Sequence, residues 1–343
     1  MKIAVIGAGA IGSIVAAHLA KAGCQVLLIG RADQVSAIEK NGLRIKKHDG
    51  QEIVKVRAAT QLDQEYDLVI FTVKTQDLES AFQDNHRFLE NCWVLTTQNG
   101  VMADNLLSCH FDPVKMMNSI VMFGATYTTP GEVTFNFPGD WIIGKPFTPL
   151  DQKVWEIAEL FKPAFSIVVT PQIIGMKWLK LFVNFNNCIP ALIGKSMQET
   201  FADMDFCRLS ILLLKEGVSI VRDAGIELVS LPQFPAERIL GLSAMPIDQA
   251  AGIMHKTLTA LSKEPLYGSI LQSILRKKTS EIDFINGEVV HLARSIHRTA
   301  PLNAKMVDMV HQVEQQKKFW KPEEVKKAFE LNALPLSEKV KVN

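Results

Sequence analysis

Residues 1–23, MKIAVIGAGAIGSIVAAHLAKAG, admit two readings. A basic residue, an apolar run and small residues around VAAHLAKAG match a secretory signal. A strand, a glycine turn and a helix match a dinucleotide cradle. KIAVIG is a short apolar strand closed by glycine. SIVAAHLAKAG has helical spacing, with Ile14, Ala17 and Leu19 around a buried face and Gly23 as the stop. Gly7, Gly9 and Gly12 form G-x-G-x-x-G between them. Gly7 permits the tight turn, Gly9 lets backbone approach a pyrophosphate, and Gly12 allows close helix–strand packing. Ala10 and Ile11 open the helix, whose free N–H groups face the phosphates. A signal peptide needs no glycines at that spacing, and its removal would cost the sheet its first strand. The nucleotide reading is therefore preferred. A methyltransferase, which also uses a glycine-rich first turn, is the remaining rival.

The next strand, CQVLLIG, bears on that rival. An NAD-binding fold carries an acid about 20 residues past the glycines to hold the ribose hydroxyls. Methyltransferases tend to carry one there too. Here the position holds Arg31, whose charge and paired donors suit a 2′-phosphate. Arg31 thus favours NADP(H) over NAD and over a methyl donor, with Asp33 an alternative ribose partner.

Working outward, DLVIFTVK, CWVLTTQNG and VKMMNSIVMFG are three more apolar strands with room for crossovers, as a parallel α/β sheet requires. ATYTTPGEVTFNFPGDWIIGKP has the turn and β-branched residues of hairpin-like strands. LDQKVWEIAELFK is read as a helix and FSIVVTP as one more strand. From about Gln172 the strand signal gives way to helical spacing, including the stretch from Ile274 to Arg298. The expected division is a nucleotide-binding domain at 1–171, a helical substrate and catalytic domain at 172–330, and a loose tail at 331–343. Two domains suit 343 residues.

The formal net charge is +1, so no strong field draws nucleic acid or an acidic membrane. Five scattered cysteines without C-x-x-C fit a reducing cytoplasm rather than a disulfide framework. No uniform apolar run spans a bilayer. The eight histidines show no H-x-x-x-H or H-E-x-x-H, so no metal site is expected. The apolar helix around SILLLKEGVSIV is read as core, part of it a candidate homodimer face.

Chemistry-bearing residues sit where strand ends should be. TVKTQD supplies Lys74 and Gln76, and TTQNG supplies Asn99. Ligands in such folds bind outside the carboxyl ends of the strands. In KWLKLFVNFNNCIPALIG, Lys180 and Asn184 are four apart and share a helix face, with Asn187 close to it. GSILQSILRKKTSEIDFINGEVV adds Ser269, Glu281 and Asn286.

Taken in order, the glycine turn, Arg31, V-K-T-Q, Q-N-G, K-L-x-x-N and S-E-I-D-F-I-N-G resemble the ketopantoate reductase (2-dehydropantoate 2-reductase) family, from Met1 to about Gln315. The resemblance implies a Rossmann-type α/β N-terminal domain that binds NADPH. An all-helical C-terminal domain follows, and the 2-oxo acid lies between the two. It implies that Lys180 protonates the ketone oxygen as hydride arrives, supported by Glu281. Asn99 is then near nicotinamide and substrate, Lys74 and Gln76 are on the cofactor side, and Arg31 meets the 2′-phosphate. Asn184 and Ser269 hold the substrate's hydroxyl and carboxylate ends.

Two positions depart from the family pattern. A second asparagine, eight residues after the lysine, is Cys188 here, with Asn187 one residue earlier as a candidate substitute. Another asparagine often found near position 198 is replaced by Gln198. Cys188 is read as a small buried residue, since no histidine stands near it in a nucleophile's arrangement. The expected reaction is NADPH-dependent reduction of ketopantoate on the route to coenzyme A. The alternatives are the same chemistry on another 2-oxo acid and a non-catalytic NADPH-binding sensor, which would have no need of Lys180 and Glu281.

Overall fold

A computed structural model describes residues 1–331; the expected tail lies outside these but for Leu331. The chain divides into two units, Met1–Lys177 and the residues from Trp178 onward.

The first unit begins as the glycine turn demands: strand β1 (Lys2–Ile6), helix α1 (Ala10–Lys21) and strand β2 (Gln25–Ile29). There follow α2 (Ala32–Asn41), β3 (Leu43–Lys47), β4 (Gly50–Val54), β5 (Arg57–Ala59) and β6 (Leu68–Phe71). Next come α3 (Leu78–Asn85), β7 (Trp93–Thr96), α4 (Met102–Leu107), β8 (Met116–Val121), β9 (Gly124–Thr129) and β10 (Glu132–Phe137). β11 (Trp141–Gly144), α5 (Gln152–Phe161) and β12 (Ile167–Val169) complete it.

Eight strands form one sheet in the order β12-β11-β8-β7-β6-β1-β2-β5. All neighbours are parallel except β8 and β11. β6 and β8 are buried at every residue, which accounts for their near-continuous apolar sequences. Asp151 caps α5, its carboxylate accepting from Val154 N at 3.2 Å.

A second, four-stranded sheet runs β4-β3-β10-β9. The β9–β10 hairpin is the one expected from TTPGEV; Gly131 supplies the positive φ of its turn. The β3–β4 hairpin is not foreshadowed in the sequence reading. β3 pairs in parallel with β10, joining Arg44 to Glu132. Helix α1 packs on β1 and β2 and also on β3, β4, β9 and β10. Covered by both sheets, it buries Gly12 through Ala17 without a break, a helix apolar nearly all round rather than on one stripe.

The second unit is helical. Helix α6 (Ile173–Asn184) crosses its boundary. Then come α7 (Cys188–Ile193), α8 (Met197–Phe201), α9 (Met204–Asp223), α10 (Ala236–Ala244) and α11 (Ile247–Thr259). α12 (Ser269–Leu275), α13 (Asn286–Ser295), α14 (Pro301–Gln316) and α15 (Pro322–Ala328) complete the described residues. The long α9 packs against α8, α10, α11, α13 and α14. At Gly217 of α9, a Cβ would stand 2.7 Å from Phe182 Cε1, so glycine lets α9 close on the ring of α6.

The structure corrects one helical expectation. The stretch from Ile274 to Arg298 is not one helix: α12 stops at Leu275, and Lys277 takes a left-handed φ of 57°. Lys278 N then returns to Ser273 O at 2.9 Å, closing the helix end. A 3₁₀ turn at Ile282–Phe284 intervenes before α13. No helix among the described residues is long and apolar enough to cross a membrane. Among them, too, no three His, Cys, Asp or Glu side chains are grouped to hold a metal ion.

Candidate active site

The first unit gathers its site residues at the carboxyl ends of four adjacent strands. Gly7 to Gly12 follow β1, Arg31 follows β2, Lys74 and Gln76 follow β6, and Asn99 follows β7. The glycines differ in what surrounds them. A Cβ at Gly7 would lie 2.7 Å from Val73 N, and one at Gly12 would lie 1.9 Å from Gly7 O. A Cβ at Gly9 would meet nothing within 4 Å. Gly7 and Gly12 are thus required by packing, while Gly9 faces open space at the start of α1. Space there, with helical N–H groups behind it, fits a pyrophosphate. Ala10 and Ile11, half-buried, form the first turn.

Three polar side chains shape this edge. Thr72 Oγ1 donates to Gly7 O at 2.9 Å and ties the turn to β6. Gln34 is buried: its Nε2 donates to Ala8 O at 2.7 Å and its Oε1 accepts from Arg31 N at 2.9 Å. Gln34 thereby joins the glycine turn to the residue after β2. Arg31 itself is exposed, its guanidinium 3.6 Å from Asp33. Gln98 Nε2 donates to Phe71 O at 2.9 Å and to Val73 O at 2.8 Å, joining the end of β7 to the end of β6. Lys74 and Asn99 are half-buried and Gln76 is exposed. Gln34 and Gln98 were missed as site residues. The helix-start position of Gln34 could have signalled it, and Gln98 stands inside the Q-N-G motif itself.

Below Asn99 the strand ends rest on a buried carboxylate. Asp104 accepts from Thr96 Oγ1 at 2.6 Å and from Asn118 Nδ2. Burial pushes its carboxyl above the usual range, with the charge of Lys177 and the two donors opposing that shift. This anchors α4 under the turn at Gly100, whose φ is 76°.

The second unit carries the other candidates. Lys180 and Asn184 lie four apart on α6 and are half-buried. Trp178, Leu181 and Phe182 on the same helix are buried, and Phe182 meets Phe185 edge-on at 5.1 Å. The α-helix ends at Asn184, so Asn187 sits on a 3₁₀ turn (Phe185–Asn187) rather than on the α6 face. Asn187 instead lies against Gly268, next to exposed Ser269 at the start of α12. Glu281 precedes the 3₁₀ turn and is half-buried.

Asn286 of the S-E-I-D-F-I-N-G motif is a lock inside this unit. Its Nδ2 donates to Asn303 Oδ1 at 2.9 Å, and Asn303 Nδ2 donates to Glu216 Oε2 at 2.8 Å. Asp283 pairs with His311 Nε2 at 2.9 Å. Cys188 is fully buried, donates to Phe185 O at 2.8 Å, and has its thiol pushed up to about 12 by burial. Gln198 bonds to the loop before α12: Nε2 donates to Glu264 O at 2.9 Å and Oε1 accepts from Leu266 N at 3.0 Å.

Comparison with known proteins bears on the family and the fold. A family model for ketopantoate reductase PanE/ApbA matches residues 3–146, and the model for its C-terminal part matches residues 172–314. A 2-dehydropantoate 2-reductase of Pyrococcus horikoshii is 32% identical over 308 residues, 88% of this chain and 94% of that protein. One of Pyrococcus abyssi is 31% identical over 307 residues, with the same coverage. The crystal structure of a PanE/ApbA family ketopantoate reductase from Ralstonia eutropha aligns with a TM-score of 0.77 at 26% identity, covering 92% of this chain and 99% of that one. A D-mandelate dehydrogenase solved with NADH and anilino(oxo)acetate shares the fold, with a TM-score of 0.78 at 21% identity over 92% of this chain and 99% of its own. The chain belongs to the ketopantoate reductase family of pyridine nucleotide-dependent oxidoreductases.

Proposed function

We propose that this protein reduces ketopantoate to pantoate with NADPH, on the route to pantothenate and coenzyme A. The observation that carries the reading is Lys180 one helical turn before Asn184 on α6, both half-buried and inside the family's C-terminal match. Arg31 holds the 2′-phosphate that distinguishes NADPH from NADH. The Gly7–Gly12 turn takes the pyrophosphate, and Lys74 and Gln76 face the cofactor. When bound, the nicotinamide supplies the hydride.

Hydride addition to a ketone builds negative charge on its oxygen. Lys180 Nζ stabilises that charge and delivers the proton. Glu281 supports the ammonium, and Asn99 orients nicotinamide and substrate through its paired donor and acceptor. Asn184, Asn187 and Ser269 hold the hydroxyl and carboxylate ends of the acid. Lys180→Ala tests the assignment. Turnover should fall by roughly 10²–10⁴-fold, the usual worth of a general acid, while NADPH titration stays unchanged. Full turnover in the variant contradicts it.

A second reading keeps the chemistry and changes the acid. Cys188 is buried and Gln198 is bonded to backbone, so neither position where the family pattern has asparagine offers an unengaged amide here. A 2-oxo acid with a different tail fits that difference.

A further inference from the structure

The segment that delivers Ser269 has little regular structure of its own: between α11 and α12 lie residues 260–268. Its order comes from neighbours. Helix α8 starts with a capping box, Ser196 Oγ accepting from Glu199 N at 3.2 Å and Glu199 Oε2 accepting from Ser196 N at 3.0 Å. That cap sets Gln198 at the first turn. Gln198 Nε2 then donates to Ser262 O at 3.1 Å and Glu264 O at 2.9 Å, and its Oε1 accepts from Leu266 N at 3.0 Å. Met197 N adds a bond to Leu266 O at 2.8 Å. One amide thus satisfies three backbone groups across 64 to 68 residues of sequence.

The far end of the segment is fixed differently. Gly268 has φ −65° and ψ 159°, a conformation open to any residue. Its lack of a side chain is therefore not a backbone requirement. A Cβ there would stand 2.4 Å from Asn187 Oδ1, 2.9 Å from its Cγ and 3.0 Å from its Cβ. Gly268 is a seat for the Asn187 side chain, and the next residue is Ser269.

We propose that Gln198 and Gly268 determine where Ser269 stands, making Gln198 a positioning residue and the Asn187–Gly268 contact a specificity element for the acid. This rests on the reading of Asn187 and Ser269 as substrate residues. Gln198 acts through the loop it clamps and not by touching substrate. The adjustable wall of the acid site is then the 260–268 segment.

Two readouts on the intact protein test this: steady-state kinetics with ketopantoate and NADPH, and hydrogen–deuterium exchange of peptides covering 260–270. Gln198→Met keeps the side chain's length and removes its polar atoms. It should speed exchange in that segment and raise KM for the acid by roughly tenfold or more, the scale of a small misplacement, with KM for NADPH unchanged. Gly268→Ala should raise KM for the acid by displacing Asn187. Combined with Asn187→Ala it should do no further harm than Asn187→Ala alone. Unchanged exchange in Gln198→Met overturns the clamp, whatever the activity. Faster exchange with an unchanged KM overturns the positioning role. Additive losses in the Gly268→Ala, Asn187→Ala pair overturn the seat. Should Gln198→Met fail to fold, the glycine pair still decides the specificity half. Wild-type protein that turns over no 2-oxo acid overturns the functional reading and the specificity half with it, while exchange still reads the clamp.

Discussion

Arg31 stands exposed at the end of β2, with its backbone N–H held by Gln34 and its guanidinium near Asp33. Its position relative to the glycines was legible in the sequence, because both lie within one strand–turn–helix–strand unit. The part of Gln34 was not, since its bond to Ala8 O spans 26 residues and depends on the strands pairing first. If Arg31 meets a 2′-phosphate, Arg31→Ala weakens NADPH more than NADH by roughly 1.5–3 kcal/mol, the worth of a charge-assisted hydrogen bond. Equal loss for both cofactors in a binding titration removes it from that role. The cysteines make a second test at this scale. Burial pushes the thiols of Cys92, Cys188 and Cys207 to about 12, whereas Cys109 is exposed. A thiol reagent applied to native protein should label Cys109 and spare Cys188 until the chain unfolds. Native labelling of Cys188, read by peptide mass, contradicts its place as an inert core residue.

Among the elements, those with a local signal were legible: β1, the glycine turn, α1, the apolar strands and the TTPGEV hairpin. The β3–β4 hairpin was not. LRIKKHDGQEIV is charged and short, so its Asp49-Gly50 turn signal stands between weak strand patterns. The strand that extends the hairpin into a sheet, β10, lies nearly ninety positions away (Arg44 against Glu132). The break at residues 276–285 was likewise hidden, because a lysine in a left-handed cap carries no glycine to announce it. Charge joins the hairpin to α1. Glu52 of β4 meets Lys21 at 2.5 Å and Lys47 at 2.7 Å, and their hydrogen bonds hold its carboxyl at about 2. A folded-state pKa below the ordinary 4.5 means stability that is present above that value and lost as pH falls through about 2. Glu52→Gln should therefore cost about 1 kcal/mol near neutrality, allowing for solvent screening. The two proteins should converge in acid. A difference in chemical-denaturation midpoint that is constant with pH contradicts this linkage.

At the scale of the whole molecule, the two units divide the chemistry by residue type. The first supplies glycines, an arginine and strand-end amides; the second supplies a helix lysine, a glutamate and the groups read as holding the acid. The order of these motifs made the family legible from sequence, and the two family matches fall on the two units in turn. What sequence could not show is how the site is kept in shape. Gln34, Gln98 and Gln198 each bond to backbone far along the chain, and no spacing rule marks such contacts in advance. The residues proposed for hydride transfer accordingly follow the family pattern more closely than those proposed to face the acid's tail, where Cys188 and Gln198 depart from it. The most direct test is NADPH oxidation by the purified protein with ketopantoate, set beside 2-oxo acids that differ only in the tail. The account predicts preferential turnover of ketopantoate, abolished in Lys180→Ala. Preferential turnover of another acid would contradict the assigned substrate, and NADPH binding without turnover of any would contradict the assignment as a reductase.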